Sequence, residues 1–232
     1  MQIKEAIILA GGLGTRLRSA VSDLPKCMAP VAGKPFLWYV LNYCKEQGVE
    51  RIILSLGFKH EVIEEYIKTT EFDFEFVSSV ETEPLGTGGA IKKACGFAKE
   101  KTVVVLNGDT LFKANLQKVA AFHHMCGADC TLTLKPMNNF DRYGVVELNS
   151  NYSISSFKEK QHYETGTING GVYILHAERF LKEALPEKFS FEKDYLEQYI
   201  HHRRMYGVIQ NEYFIDIGIP EDFERAQKEL AN

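Results

Sequence analysis

Residues 11–16 read GGLGTR and combine three glycines with a hydroxyl and a guanidinium. Glycine lets the backbone turn sharply and come close to a ligand, so that successive backbone N–H groups can converge on an anion. Arg16 adds a planar fork of donors, and Lys26, in a later loop bounded by prolines, adds a compact ammonium. These residues predict a loop that binds a chain of phosphates.

Two commoner phosphate-binding motifs do not fit this stretch. The dinucleotide motif G-x-G-x-x-G would need a third glycine where the chain has Leu17. A P-loop needs Ser or Thr after Gly-Lys, and Gly33-Lys34 is followed by Pro35. A Gly-rich loop after a strand can also be a simple tight turn, which the residues alone leave open.

The glycine loop follows an apolar segment, residues 6–10, that is typical of a buried parallel strand. Further strands are predicted at residues 51–56, 73–80 and 102–106, alternating with helices at 36–47, 60–68 and 88–97. This alternation predicts a doubly wound, mostly parallel α/β sheet with ligands at the carboxyl ends of its strands. The second half is richer in strands, and a last pair of helices is predicted near residues 190–202 and 220–231.

Two aspartates are placed to act at that edge of the sheet. Asp109 follows the strand at 102–106 directly after Gly108, and Asp216 also ends an apolar segment before a turn. A single carboxylate in such a position often only caps a helix. The presence of a second one favours a functional pair.

The composition is that of an ordinary globular protein: 232 residues, 45% hydrophobic and 25% charged, with a net charge of −4. The charge argues against a nucleic-acid binder, and no apolar segment reaches the ~20 residues that span a membrane. We also expect no signal peptide. The five cysteines contain no C-x-x-C pair, which favours free thiols in the cytoplasm.

Residues 9–17 (LAGGLGTRL) and 25–35 (PKCMAPVAGKP) together resemble the double signature of the sugar-1-phosphate nucleotidyltransferases. The resemblance implies a Rossmann-like sheet of the nucleotide-diphospho-sugar transferase type with a mixed β-rich sugar-binding lobe. It also implies one domain over residues 1–232, with a nucleotide-binding lobe at 1–113 and a sugar-phosphate-binding lobe at 114–232.

The resemblance assigns roles to individual residues. Arg16 and Lys26 would bind the phosphates of the nucleotide, and Asp109 and Asp216 would hold a catalytic Mg²⁺. Other residues implied to bind the nucleotide are Leu9, Ala10, Gly11, Gly12, Gly14, Thr15, Glu81, Glu83, Pro84, Gly86, Thr87 and Gly108. Those implied to bind the sugar phosphate are Tyr143, Gly144, Glu159, Lys160, Asn169 and Gly171.

Within this family, four segments most closely resemble the bacterial D-glycero-α-D-manno-heptose-1-phosphate guanylyltransferases: residues 13–26, 33–41, 83–94 and 169–173. This resemblance implies GTP and the heptose 1-phosphate as substrates, with Glu81 or Glu83 binding guanine, and GDP-heptose for capsule or surface glycans as product. Mannose-1-phosphate guanylyltransferases, glucose-1-phosphate thymidylyltransferases and cytidylyltransferases would use nearly the same residues, and a non-catalytic binder of nucleotide sugars is a further alternative. Apolar helices such as residues 36–43 leave room for a homodimer face.

Overall fold

The computed structural model describes residues 2–12 and 24–231. The predicted phosphate-binding residues Gly14, Thr15 and Arg16 lie outside the described residues.

The strands are β1 Glu5–Leu9, β2 Pro30–Val31, β3 Lys34–Pro35, β4 Arg51–Leu56, β5 Glu75–Val80, β6 Thr102–Asn107, β7 Thr110–Phe112, β8 Cys130–Phe140, β9 Val146–Leu148, β10 Ile154–Phe157, β11 Tyr163–His176, β12 Met205–Ile209 and β13 Phe214–Asp216. The α-helices are α1 Phe36–Glu46, α2 His60–Thr69, α3 Gly86–Cys95, α4 Leu116–Met125, α5 Ala177–Leu181, α6 Glu197–Tyr199 and α7 Pro220–Glu229. A 3₁₀ turn, Lys26–Met28, and a π-helical turn, Phe191–Leu196, are also present among the described residues.

Seven strands form the central sheet in the order β12-β8-β11-β6-β1-β4-β5. Strand β1 pairs in parallel with both β4 and β6, and β5 pairs in parallel with β4. Strand β11 is antiparallel to its neighbours β6 and β8, whereas β12 is parallel to β8. The predicted α/β fold with a mostly parallel sheet is therefore confirmed, with β11 as the one reversed strand of this sheet.

Alternate side chains of each central strand enter separate cores on the two faces of the sheet. On β1, Ala6 and Ile8 belong to the core that includes α1 and α4, while Ile7 belongs to the core that includes α3 and α5. This division follows from the two-residue period of a strand, and it explains why the central strands are apolar throughout. Helices cover both faces, and strands from both halves of the chain share the sheet. The division into two lobes at residue 113 stays a prediction.

Two predicted features differ from the structure. Six of the eleven residues of α1 are buried in the chain's own core, which leaves less apolar surface than the sequence suggested, and the homodimer face on this helix stays a prediction. The segment predicted as one helix near residues 190–202 is a π-helical turn followed by the three-residue helix α6. Within residues 2–12 and 24–231, no helix combines the length and apolar character that crossing a membrane requires.

Candidate active site

A two-stranded ribbon brings the two predicted aspartates together at the edge of the sheet. Strand β13 pairs antiparallel with β7, and this register sets Asp216 opposite Thr110, the residue after Asp109. The Ile217 N–H donates to the carbonyl of Asp109 at 3.0 Å, which extends the pairing by one residue. Asp109 and Asp216 therefore leave the ribbon side by side, although they are 107 positions apart in the sequence.

Gly108 makes the turn from β6 to Asp109 possible. Its N–H donates to the carbonyl oxygen of Leu9 at 3.0 Å. A Cβ at this position would lie 2.6 Å from that same oxygen, which is too close for any side chain. The glycine is thus required by close packing against the end of β1, and it holds Asp109 beside the start of the glycine loop.

Lys26 lies between the two carboxylates. Its Nζ forms an ion pair with Oδ2 of Asp109 and lies 3.9 Å from Oδ1 of Asp216. Only 12% of the lysine side chain is exposed. The 3₁₀ turn that begins at Lys26 fixes its backbone, since Met28 N donates to the Pro25 carbonyl at 2.8 Å. The three predicted catalytic residues that the structure describes therefore form one charged cluster.

The Asp216 carboxylate has further neutral donors. Tyr143 OH donates to Oδ2 at 3.2 Å, and the Gly218 N–H donates to Oδ1 at 2.7 Å. Burial and the nearby charge of Asp109 nevertheless raise the pKa of Asp216, because they outweigh Lys26 and these hydrogen bonds. The site thus holds more negative charge than it neutralises, which suits a cation or a cationic partner.

The two carboxylates fit a magnesium ion. Their oxygens are hard donors that converge on a single lysine ammonium, and Mg²⁺ is usually held by one or two carboxylates together with substrate phosphates and water. In the described part of the chain, no group of three or more His, Cys, Asp or Glu residues could hold a metal ion. A divalent cation bound here would therefore depend on phosphate oxygens to complete its ligands.

A first cleft lies on the side of the glycine loop and has a volume of about 470 Å³. Its floor is main chain, because Gly11 and Gly57 pack so closely that a Cβ on Gly11 would lie 3.1 Å from the Gly57 nitrogen. The predicted residues that line it are Leu9, Gly11, Gly12, Glu81, Glu83, Pro84, Gly86 and Thr87. Ser55, Gly57 and Phe58, which no sequence motif singled out as ligands, also line it.

The glycines at the start of α3 pack against the chain itself. Gly86 has a φ of +72°, and a Cβ there would lie 2.5 Å from the carbonyl oxygen of Phe189. A Cβ on Gly88 would overlap the Phe189 ring, and one on Gly89 would lie 2.3 Å from the Glu187 carbonyl oxygen. The close approach of residues 187–189 therefore explains why these three positions are glycine. Gly86 also lines the first cleft.

A second cleft, also of about 470 Å³, opens on the other side of the aspartates. All six residues predicted to bind the sugar phosphate line it, together with Lys26, Asp109 and Asp216; the six are Tyr143, Gly144, Glu159, Lys160, Asn169 and Gly171. Gly171 has a φ of +71°, and its N–H donates to Oδ1 of Asn169 at 3.0 Å. That turn fixes the Asn169 side chain at the cleft wall.

The π-helical turn and the first residue of α6 add three charged residues that sequence reasoning missed. Glu192, Lys193 and Glu197 all line the second cleft. Glu192 Oε2 accepts a hydrogen bond from the Thr87 hydroxyl at 2.9 Å, and Tyr173 OH donates to its Oε1 at 3.4 Å. Ser190 caps this turn by accepting a hydrogen bond from the Lys193 N–H, but such a local signal does not indicate a binding site. The contact between Thr87 and Glu192 joins residues 105 positions apart, so no local pattern predicts it.

A narrow junction joins the two clefts into one groove. The junction shares lining residues with both clefts: Leu9, Gly12 and Thr87 with the first, and Lys26, Asp109 and Glu192 with the second. Ala10 and Gly108 also line it. Every predicted site residue within residues 2–12 and 24–231 thus lines this groove. The charged cluster lies where the two clefts meet.

Comparisons with known proteins agree over nearly the whole chain. A D-glycero-alpha-D-manno-heptose 1-phosphate guanylyltransferase of Aneurinibacillus thermoaerophilus is 53% identical over 228 residues, which is 98% of this chain and 99% of that protein. A protein of the same name from Campylobacter jejuni subsp. jejuni serotype O:2 is 46% identical over 94% of this chain and 96% of that protein.

Among solved structures, HddC from Yersinia pseudotuberculosis has a TM-score of 0.89 and 38% identity, covering 98% of this chain and 100% of that chain. HddC is also known in complex with GMP-PN. The family model described as Nucleotidyl transferase matches residues 5–232. This chain belongs to the nucleotidyl transferase family.

Proposed function

We propose that this chain transfers a guanylyl group from GTP to D-glycero-α-D-manno-heptose 1-phosphate, giving GDP-heptose and pyrophosphate for capsule or surface glycans. The observation that carries the proposal is the groove, in which Lys26, Asp109 and Asp216 lie between two clefts. The names of the two relatives support the substrates. The complex of HddC with GMP-PN supports a guanine nucleotide.

The two clefts suit the two substrates. The first cleft has a main-chain floor and few charges, which suits a flat base and a ribose. The second carries Glu159 and Asn169 for sugar hydroxyls and Lys160 for a phosphate. With GTP in the first cleft and the sugar phosphate in the second, the α-phosphate and the attacking oxygen would meet at the charged cluster.

The reaction we propose is an in-line displacement at the α-phosphorus. An oxygen of the sugar phosphate forms a bond to that phosphorus, while the bond from the α-phosphorus to the β-phosphate oxygen breaks and pyrophosphate leaves. The nucleophile is already an anion, so no general base is required. Catalysis then depends on positioning and on stabilising negative charge, as in other phosphoryl transfers.

Each charged residue has a place in this scheme. Lys26 binds the α-phosphate, Arg16 the departing phosphates and Lys160 the incoming sugar phosphate. Asp109 and Asp216 would hold Mg²⁺, which would supply positive charge to phosphate oxygens. Tyr143 and Gly218 keep the Asp216 carboxylate oriented through their hydrogen bonds to it.

Guanine would be recognised by an acid of the first cleft. Glu81 Oε2 already accepts the Leu85 N–H at 2.9 Å, so this carboxylate supports the start of α3. Glu83 is exposed and makes no hydrogen bond to another described residue. We therefore assign the N1 and N2 protons of guanine to Glu83.

Glu83→Gln is expected to lower kcat/KM for GTP about tenfold, because a hydrogen bond to a charged acceptor contributes about 1.5–3 kcal/mol. The rate with ATP should stay the same, since adenine offers no N1 proton. An assay in which GTP and ATP compete for the enzyme measures the change in the ratio of their kcat/KM values. An equal loss of activity with both nucleotides would show that Glu83 does not recognise guanine.

A substrate panel tests the function. Pyrophosphate release would be measured with GTP, CTP, UTP, dTTP and ATP against the phosphates of heptose, mannose and glucose, in the presence of Mg²⁺. We expect release with GTP and the heptose phosphate. Preference for another pair would keep the mechanism and change the substrate, whereas silence across the panel with tight binding of a nucleotide sugar would indicate the non-catalytic binder.

We also propose that the chain works in the cytoplasm and as a homodimer. All five cysteines are free thiols, and four of them are buried. Such thiols persist in a reducing compartment. Sedimentation velocity would test the dimer, for which a particle of twice the 26.3 kDa chain mass is expected.

A further inference from the structure

A buried carboxylate on α7 plays no part in the scheme so far. Asp222 is only 7% exposed and lies in the first turn of this helix. Arg142 Nη2 forms an ion pair with its Oδ2, and Arg225 Nη1 lies 3.0 Å from its Oδ1. A charge this deeply buried is costly unless it is paired, so the two arginines offset the cost of burying Asp222.

Arg142 connects this carboxylate to the groove. The same Nη2 that binds Asp222 also donates to the Tyr143 hydroxyl at 3.2 Å. The guanidinium carbon lies 5.4 Å from the centroid of the Tyr143 ring. The guanidinium that pairs with Asp222 thus also contacts both the ring and the hydroxyl of Tyr143.

Tyr143 completes the connection. Its hydroxyl donates to Asp216 Oδ2 at 3.2 Å, and its ring meets Phe214 of β13 edge to face, with centroids 6.1 Å apart. The ring also lines the second cleft. The hydroxyl can rotate about its C–O bond, so its direction depends on which neighbours accept and donate around it. Arg142 is a donor only, and it leaves the Tyr143 proton free to point at Asp216.

We infer that Asp222 is a positioning residue, which acts through Arg142 to hold the Tyr143 hydroxyl on the Asp216 carboxylate. Asp222 itself does not touch the substrates. The inference rests on the proposed function, because it gives Asp216 and Tyr143 their roles in nucleotidyl transfer. It adds a buried residue of the C-terminal helix to the control of the active carboxylate.

A purely structural role is the alternative. An acid in the first turn of a helix favours the helix through the positive end of its dipole. Such an effect would lower stability when removed, but it would not depend on whether Tyr143 carries a hydroxyl. That dependence separates the two explanations.

A double-mutant cycle between Asp222→Asn and Tyr143→Phe tests the inference. Each single variant is expected to lose about tenfold in kcat/KM for the heptose phosphate, and the double variant should also lose about tenfold. Interacting residues show such non-additivity, whereas independent ones add. A loss of about a hundredfold in the double variant, or no loss in Asp222→Asn, would overturn the inference.

Binding gives a second readout that requires no turnover. The Kd for GDP-heptose, measured by calorimetry in EDTA, should follow the same non-additive pattern. Arg225→Gln is the matched control, because it removes the other ion pair of Asp222 and leaves the contact with Arg142 in place; its kcat/KM should stay within about twofold of wild type.

Two further results keep the test decisive. If Asp222→Asn does not fold by circular dichroism, Arg142→Gln takes its place in the cycle with the same expected pattern. If wild type releases no pyrophosphate from GTP and the heptose phosphate, the proposed function fails. An active wild type with additive losses contradicts only the role of Asp222.

Discussion

Asp216→Asn is expected to reduce pyrophosphate release by on the order of 10²-fold or more and, at the same time, to make the substrate-free protein more stable. Loss of one group that stabilises the charges of a transition state has that effect on rate. The gain in stability arises because burial and Asp109 raise the pKa of Asp216, so that the folded chain holds its ionised form at a cost. Asparagine is uncharged, so the variant does not have this cost.

The sign of the effect sets its pH dependence. A carboxyl with a raised pKa in the folded state destabilises the fold at neutral pH, and the cost disappears as pH falls toward the ordinary value of 3.8. The unfolding midpoint of Asp216→Asn should therefore exceed that of wild type at pH 7 and approach it at pH 4. Each kcal/mol gained should shift the midpoint by about 2–4 °C. Scanning calorimetry without Mg²⁺ measures both midpoints.

Asp129→Asn is the control with the opposite sign. Asp129 is also buried, but Arg204 and Arg179 lower its pKa despite that burial, so its charge stabilises the fold above pH 3.8. Its replacement should lower the midpoint at pH 7 and leave the turnover of the folded enzyme unchanged. A lower midpoint for Asp216→Asn as well would contradict our account of the charged cluster.

Lys160→Gln is expected to raise KM for the sugar phosphate by on the order of 10–100-fold, because an ammonium that binds a phosphate contributes about 1.5–3 kcal/mol. KM for GTP should not change. Lys160 is exposed in the second cleft, and it forms no ion pair with a carboxylate of the described residues. Its ammonium is therefore available to a ligand. Initial rates with each substrate varied in turn give both constants.

Lys158 provides a matched control two residues away. It has the same charge, but its Nζ is paired with Glu147 Oε1 at 2.5 Å. Lys158→Gln should therefore change KM for the sugar phosphate by no more than about twofold. Equal effects of the two substitutions would mean that the cleft attracts the sugar phosphate only through its overall charge.

Local sequence patterns were sufficient for the parts of the site that lie at strand ends. The apolar segment of β1, the glycines after it and Asp109 after β6 all reflect the geometry of a parallel sheet, in which strand ends share one edge. The apolar segment before Asp216 also indicated this residue, but its position beside Asp109 depends on the pairing of β13 with β7 across more than a hundred residues, which no local pattern encodes.

Features that depend on distant contacts could not be predicted. The turn at 191–196 departs from a regular helix where Glu192 binds Thr87 and Phe191 packs against Tyr173. No local period encodes these contacts. The resemblance implied that Gly86 of α3 binds the nucleotide, but it gave no sign that the glycines of this helix make room for Phe189 and Glu187. In both cases, the partner is a segment about a hundred residues away.

The most direct test of the central claim follows the oxygen atoms of the reaction. Heptose 1-phosphate labelled with ¹⁸O at its phosphate oxygens would be incubated with GTP, Mg²⁺ and the enzyme, and both products analysed by mass spectrometry. Attack by the sugar phosphate on the α-phosphorus predicts that all the label remains in GDP-heptose and none appears in pyrophosphate. Label in the released pyrophosphate, or no GDP-heptose at all, would contradict the account.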